Sequence, residues 1–189
     1  MSHHRHMLHP HPQNTPPPTM AVCAMLHCAS NRRWQVDFTL IDALDRVYLP
    51  PATSSQSTDG LWQSTCFEIF IGLPNTCAYI ELNASPSGQW ASYQFTSYRA
   101  RDVAQDHQLR PYIKQRRGTA RHFALQVVFT LPARLCGSDA TNADSYAVGL
   151  AAVIAARDGS LSYWALHHAS ARPDFHHAAS RVLPIATVG

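Results

Sequence analysis

Charge is scarce in this sequence of 189 residues: 14% are Asp, Glu, Lys or Arg, with Lys114 the sole lysine and Glu68 and Glu81 the sole glutamates. That shortage, beside 46% hydrophobic residues, excludes a wholly disordered chain and a coiled coil. The net charge of +3 comes without a long basic face. Its one dense cluster, Lys114 to Arg117 with Arg121, reads as a solvated hairpin, so no nucleic-acid partner is expected. The longest strongly apolar run, Tyr146 to Ala156, is too short to span a bilayer, and no charged-then-apolar leader opens the chain. A soluble, cytoplasmic protein without a membrane partner is the expectation. The five cysteines (Cys23, Cys28, Cys66, Cys77 and Cys136) form no CxxC pair. Neither a zinc site nor a disulfide framework is indicated, and reduced, mostly buried thiols are expected. Nucleophile elbows, P-loops and dinucleotide turns are missing as well. No stretch carries an amphipathic helix of three turns.

What the sequence does have is alternation. Val22, Ala24 and Leu26 alternate with Cys23, Met25 and His27, and a Ser-Asn-Arg-Arg turn leads into Trp34 to Leu40, which predicts a hairpin. Asp42 to Tyr48, Thr65 to Ile71, Tyr79 to Ala84, Trp90 to Thr96 and His122 to Leu131 read as further strands, with one helical turn at Pro132 to Leu135. Tyr146 to Ile154 and Ser160 to Leu166 pair around Asp158-Gly159, and a short strand lies near Arg181 to Ile185. Roughly ten short strands with turns between them predict an all-β fold, a single antiparallel β-sandwich with little helix. Residues 1–19 hold five histidines and five prolines. They are expected to be extended or disordered and to stand outside the core, leaving 20–189 as one domain.

Three constellations bear chemistry. Parity places Glu68 with Phe70, and Glu81 with Tyr79 and Asn83, on the faces opposite Ile69 and Leu82. If both carboxyls face one cleft, they have the residue types of a glycosidase acid and nucleophile. Trp62, Tyr79, Asn83, Trp90, Tyr93, Arg99 and Trp164 form an aromatic and polar set suited to a ligand with apolar faces and a hydroxyl rim. The tail places His167 and His168 shortly before Asp174, His176 and His177, a candidate set for a transition metal or an iron porphyrin. Its spacing matches no zinc pattern, so a hydrogen-bonded closing loop is expected, with His168 or His176 touching a ligand. Ala147, Gly149 and Ala151 make a face of small residues, leaving room for a bulky group opposite.

The run Asp59-Gly60-Leu61-Trp62-Gln63-Ser64-Thr65-Cys66-Phe67-Glu68, the run Tyr79-Ile80-Glu81-Leu82-Asn83-Ala84-Ser85-Pro86-Ser87-Gly88-Gln89-Trp90 and the tail Tyr163 to His168 with Pro173 to His177 together resemble the bacterial DOMON-like proteins. These are related to family-9 carbohydrate-binding modules. The likeness runs from about Leu8 to the tail. It implies a jelly-roll-like sandwich that binds a small ligand, sugar or haem, without enzymatic activity. Carbohydrate binding is therefore the leading expectation, a haem module for electron transfer the first alternative and a glycosidase the second. No cofactor is expected unless it is haem. The expected ligand contacts are Glu68, Glu81 and Asn83 as hydrogen-bonding groups, Trp62 and Trp90 as stacking rings, and Tyr79, Trp164, Arg99, His168 and His176 around them.

Overall fold

Alternating large apolar and polar residues stabilise strands because successive side chains leave opposite faces of the backbone. In the computed structural model, which describes residues 5–17, 19–28, 32–41, 45–73, 75–117, 121–132 and 145–186, this alternation builds twelve strands. They are β1 (Arg5–Pro10), β2 (Ala21–Cys28), β3 (Arg33–Ile41), β4 (Cys66–Gly72), β5 (Tyr79–Ala84) and β6 (Trp90–Ser97), then β7 (Ala100–Arg101), β8 (Tyr112–Arg117), β9 (His122–Thr130), β10 (Ser145–Ala155), β11 (Leu161–Ala165) and β12 (Leu183–Ala186). Pairings between these strands are antiparallel, along the path β7-β6-β5-β4-β10-β11-β1-β2-β3-β9-β8, with β12 on β10. Among the described residues, helix is confined to three-residue 3-10 turns. No helix there is long and apolar enough to cross a membrane.

The path folds over on itself. Phe38 and Leu40 of β3 and Phe123, Leu125 and Val127 of β9 share one buried cluster with Phe67, Ile69 and Ile71 of β4, Leu82 of β5 and Leu150 of β10. The Phe67 ring lies 5.0 Å from that of Phe38 and 6.1 Å from that of Phe123, so it joins the two layers of the sandwich. β1 links the layers by hydrogen bonds. Its residues Arg5 to Leu8 pair with β2, while His9 and Pro10 pair with β11.

Of the first nineteen residues, 5–10 are extended, as expected, but they do not stand outside the core. Prolines begin only at Pro10, so the preceding residues keep their donors and form a strand, with Leu8 buried in the core. His11 is buried too, its Nδ1 accepting from the Gln13 backbone N–H at 3.2 Å. Of the strand expected over Asp42 to Tyr48, residues 45–48 are a turn with a single bridge from Val47 to Ala156, and residues 42–44 lie outside the described residues. The helical turn expected from Pro132 also falls mostly outside them. The four described cysteines are unpaired, with Cys23 and Cys66 buried, and Cys136 lies outside.

Candidate ligand-binding site

The sandwich core uses one face of the layer β6-β5-β4-β10-β11, and the other face is not plain solvent. Glu68 and Phe70, Tyr79 and Glu81, Tyr93 and Phe95 all lie on that outer face, where a second apolar cluster holds Phe70, Tyr79, Tyr93, Phe95, Ala151 and Ala165 with Phe175 packed against it. Two segments wall this face. Gly60, at φ 76°, reverses the chain into a 3-10 turn whose Leu61 is anchored inward while Trp62 stays 41% exposed. On the other side the tail brings Pro173 to His176 across the sheet. Between them is a cavity of about 620 Å³. Its floor is Glu68 and Glu81, its sides are Tyr93, Phe95, Val153 and Tyr163, and its rim is Trp62, Arg99, Arg101, Asp174, Phe175 and His176.

The rim is held by charge-assisted bonds. Arg99 Nη2 donates to Asp174 Oδ1 at 2.9 Å, and Tyr98 donates its hydroxyl to Asp174 Oδ2 at 2.7 Å. Those bonds overcome partial burial and hold the Asp174 carboxyl below its usual range. Arg101 lies 4.2 Å over the centre of the Tyr93 ring and reaches Asp106 at 2.6 Å. Tyr93 in turn donates to Asp59 at 2.6 Å. Beneath the rim, the Arg99 backbone N–H donates to the Tyr79 hydroxyl at 3.1 Å, and that hydroxyl shares a hydrogen bond with His176 Nδ1 at 2.8 Å. Burial first, and the Arg99 charge second, lower the His176 pKa to about 4, so the ring is neutral and its Nε2 faces Glu81 Oε2 at 3.7 Å.

The floor is short of partners. Glu68 is 3% exposed and Glu81 5%. Asn83 donates to Glu81 Oε1 at 2.8 Å, while Glu68 Oε1 and Asn83 Oδ1 have no hydrogen-bond partner among the described residues. Burial raises Glu81 to about 7, and burial together with the Glu81 charge drives Glu68 well above the carboxylate range.

The candidate residues named from the sequence thus divide. Trp62, Glu68, Glu81, Arg99 and His176 line one cavity, and Tyr79 and Asn83, on the same face, hydrogen-bond His176 and Glu81 of that lining. Trp90 is buried on the opposite face, level with Ala84, its ring edge-on to His107. Trp164 is in the sandwich core opposite Ala152. His168 hydrogen-bonds the His9 carbonyl at 2.9 Å, outside the cavity lining. The register around Asp158-Gly159 already aligns Trp164 with the larger face of β10, and the tight Ser85–Gly88 reversal aligns Trp90 with Ala84. Phe95, Arg101, Tyr163 and Phe175 line the cavity without having been singled out for it. Shared parity with Tyr93 marks Phe95, whereas a rim arginine on a two-residue strand leaves no signal. The small face of β10 receives the tail: a Cβ on Gly149 would stand 3.1 Å from the Ser180 carbonyl and 3.4 Å from Arg181 Cγ.

Among the described residues no group of three His, Cys, Asp or Glu side chains is arranged to hold a metal ion. A second hollow, about 590 Å³ between the Gln13–Pro17 segment and the Arg157–Ser160 turn, has no aromatic ring among the described residues that line it.

No protein-family model matches the chain, and no curated protein matches it. Among the solved structures similar in fold are two proteins. One is a candidate carbohydrate-binding protein from Bacteroides uniformis, with a TM-score of 0.63 at 12% identity, covering 97% of this chain and 85% of that one. The other is a family 9 carbohydrate-binding module from Caldicellulosiruptor kristjanssonii in complex with cellotriose, with a TM-score of 0.53 at 10% identity, covering 86% and 72%. The chain has the β-sandwich fold of these two proteins.

Proposed function

We propose that this protein binds a carbohydrate in the outer-face cavity. The observation that carries the reading is an exposed indole, Trp62, at the mouth of a cavity whose floor is two buried carboxyls. Sugars combine apolar C–H faces with hydroxyl rims, and flat rings beside fixed hydrogen-bonding groups are the matching surface. The fold shared with a module that holds cellotriose supports the same reading. Trp34, Trp90 and Trp164 are buried, so a ligand-induced change in tryptophan emission reports on Trp62. Titration with mono- and oligosaccharides is expected to change that emission, and Trp62→Ala is expected to weaken binding about tenfold or more. A panel in which no sugar alters the emission or releases heat overturns the proposal.

Glycoside hydrolysis is the second reading, favoured by the two carboxyls sharing one cavity floor. Prolonged incubation with cello-oligosaccharides separates the two. Released glucose that disappears with Glu68→Gln supports hydrolysis, and intact oligosaccharide leaves binding alone.

A further inference from the structure

Resting on the carbohydrate reading, we propose that the sugar taken by this cavity is an amino sugar, its protonated amine lying between Glu68 and Glu81. Glu68 faces Asn83 across the β4–β5 ladder and Glu81 faces Phe70, so the two glutamates are diagonal neighbours on one face of adjacent strands. Side chains so placed are near enough for one small cation to reach both. What waits there is acceptors. Glu68 Oε1 is buried without a donor, and one oxygen of Glu81 is left after Asn83 takes the other. An ammonium carries three donors and no acceptor, which is the complement of that set.

Among the described residues no cation fills the role. Arg99 is engaged by Asp174, Arg101 by Asp106 and Asp59, and Arg181 lies over the Tyr79 ring while donating to the His176 carbonyl at 3.1 Å. His176 is the one remaining base facing Glu81, and it is neutral. Burial outweighs the Asn83 hydrogen bond and the Arg101 and Arg99 charges at Glu81, so the two carboxyls hold a proton between them near neutrality. A neutral hydroxyl could accept one hydrogen bond or give one, but would leave that charge problem in place. An ammonium removes it.

The test compares three β-1,4-linked trisaccharides by calorimetry near pH 7. Cellotriose, the trimer of N-acetylglucosamine and the trimer of glucosamine share a backbone and differ at the C2 substituent. The amine trimer is expected to bind about tenfold or more tightly than cellotriose, since charge-assisted hydrogen bonds exceed neutral ones. Its binding is also expected to release protons, seen as a heat that varies with the ionisation enthalpy of the buffer. In Glu68→Gln the ratio of amine to neutral affinity is expected to fall towards one. The wild-type comparison stands even if that variant folds poorly. Equal affinities for all three, or a preference for the acetylated trimer, overturns this inference and leaves carbohydrate binding intact. Silence from all three overturns both. Calcium, titrated alone, overturns it as well if it occupies the floor and abolishes the amine preference.

Discussion

At about pH 9, Glu81→Gln is expected to unfold at a higher urea concentration than the parent protein, although it removes a charge from the candidate binding site. Burial raises the Glu81 carboxyl from its ordinary 4.5 to about 7. The folded protein therefore keeps a proton that the unfolded chain has released. The stability linked to that proton is complete below the unfolded value and is lost as pH rises through about 7. Glu68 shifts in the same direction, which carries the loss to still higher pH. His176 acts the other way: lowered from 6.5 to about 4, its contribution is complete above 6.5 and lost as pH falls through about 4. The two slopes oppose each other in mildly acidic solution, and above 6.5 only the carboxyl slope of the two remains. Glutamine cannot ionise, yet its side-chain carbonyl still accepts from Asn83. The gap between variant and parent should open from near zero at about pH 4 to about 3 kcal/mol at about pH 9. A gap that does not change with pH would show that Glu81 is not buried as described.

Phe67→Ala is expected to cost about 3–5 kcal/mol, because a fully buried ring is removed from the contact between two rigid layers. For a chain of this length such a loss lowers Tm by roughly 10 °C. The effect should exceed that of the same change at Phe175, whose ring closes the outer face rather than the core. Thermal and urea unfolding give the comparison. A loss at Phe67 below about 1 kcal/mol would mean that the layers do not share a core there.

Most of the sandwich was readable because period-two alternation is strong where one face is buried. Phe123 to Leu131 and Thr65 to Ile71 carry it plainly, and the parity of Glu68 and Glu81 follows from their neighbours. β1 was not readable. Its histidines and the prolines after it have the composition of a solvated segment, and only Leu8 enters the core; the pairing partners that order it, Met25 to Val22 and Trp164 to Ala165, are distant in sequence. The cavity was half readable for a related reason. Alternation says which residues share a face, and so it grouped Glu68, Tyr79, Glu81 and Asn83. It does not say what covers that face. The Pro173–His176 segment and Arg101 arrive from other parts of the chain, and Trp90 and Trp164 were separated from the site by register across tight turns.

Amide and indole chemical shifts of the labelled protein, followed while an oligosaccharide is added, test the central claim most directly. The account predicts that the Trp62 indole and the backbone of Arg99, Arg101, Phe175 and His176 move together and saturate with one affinity. Shifts gathered instead around Asn14, Arg46 and Arg157 at the second hollow, or on the edge strand β8, would contradict it.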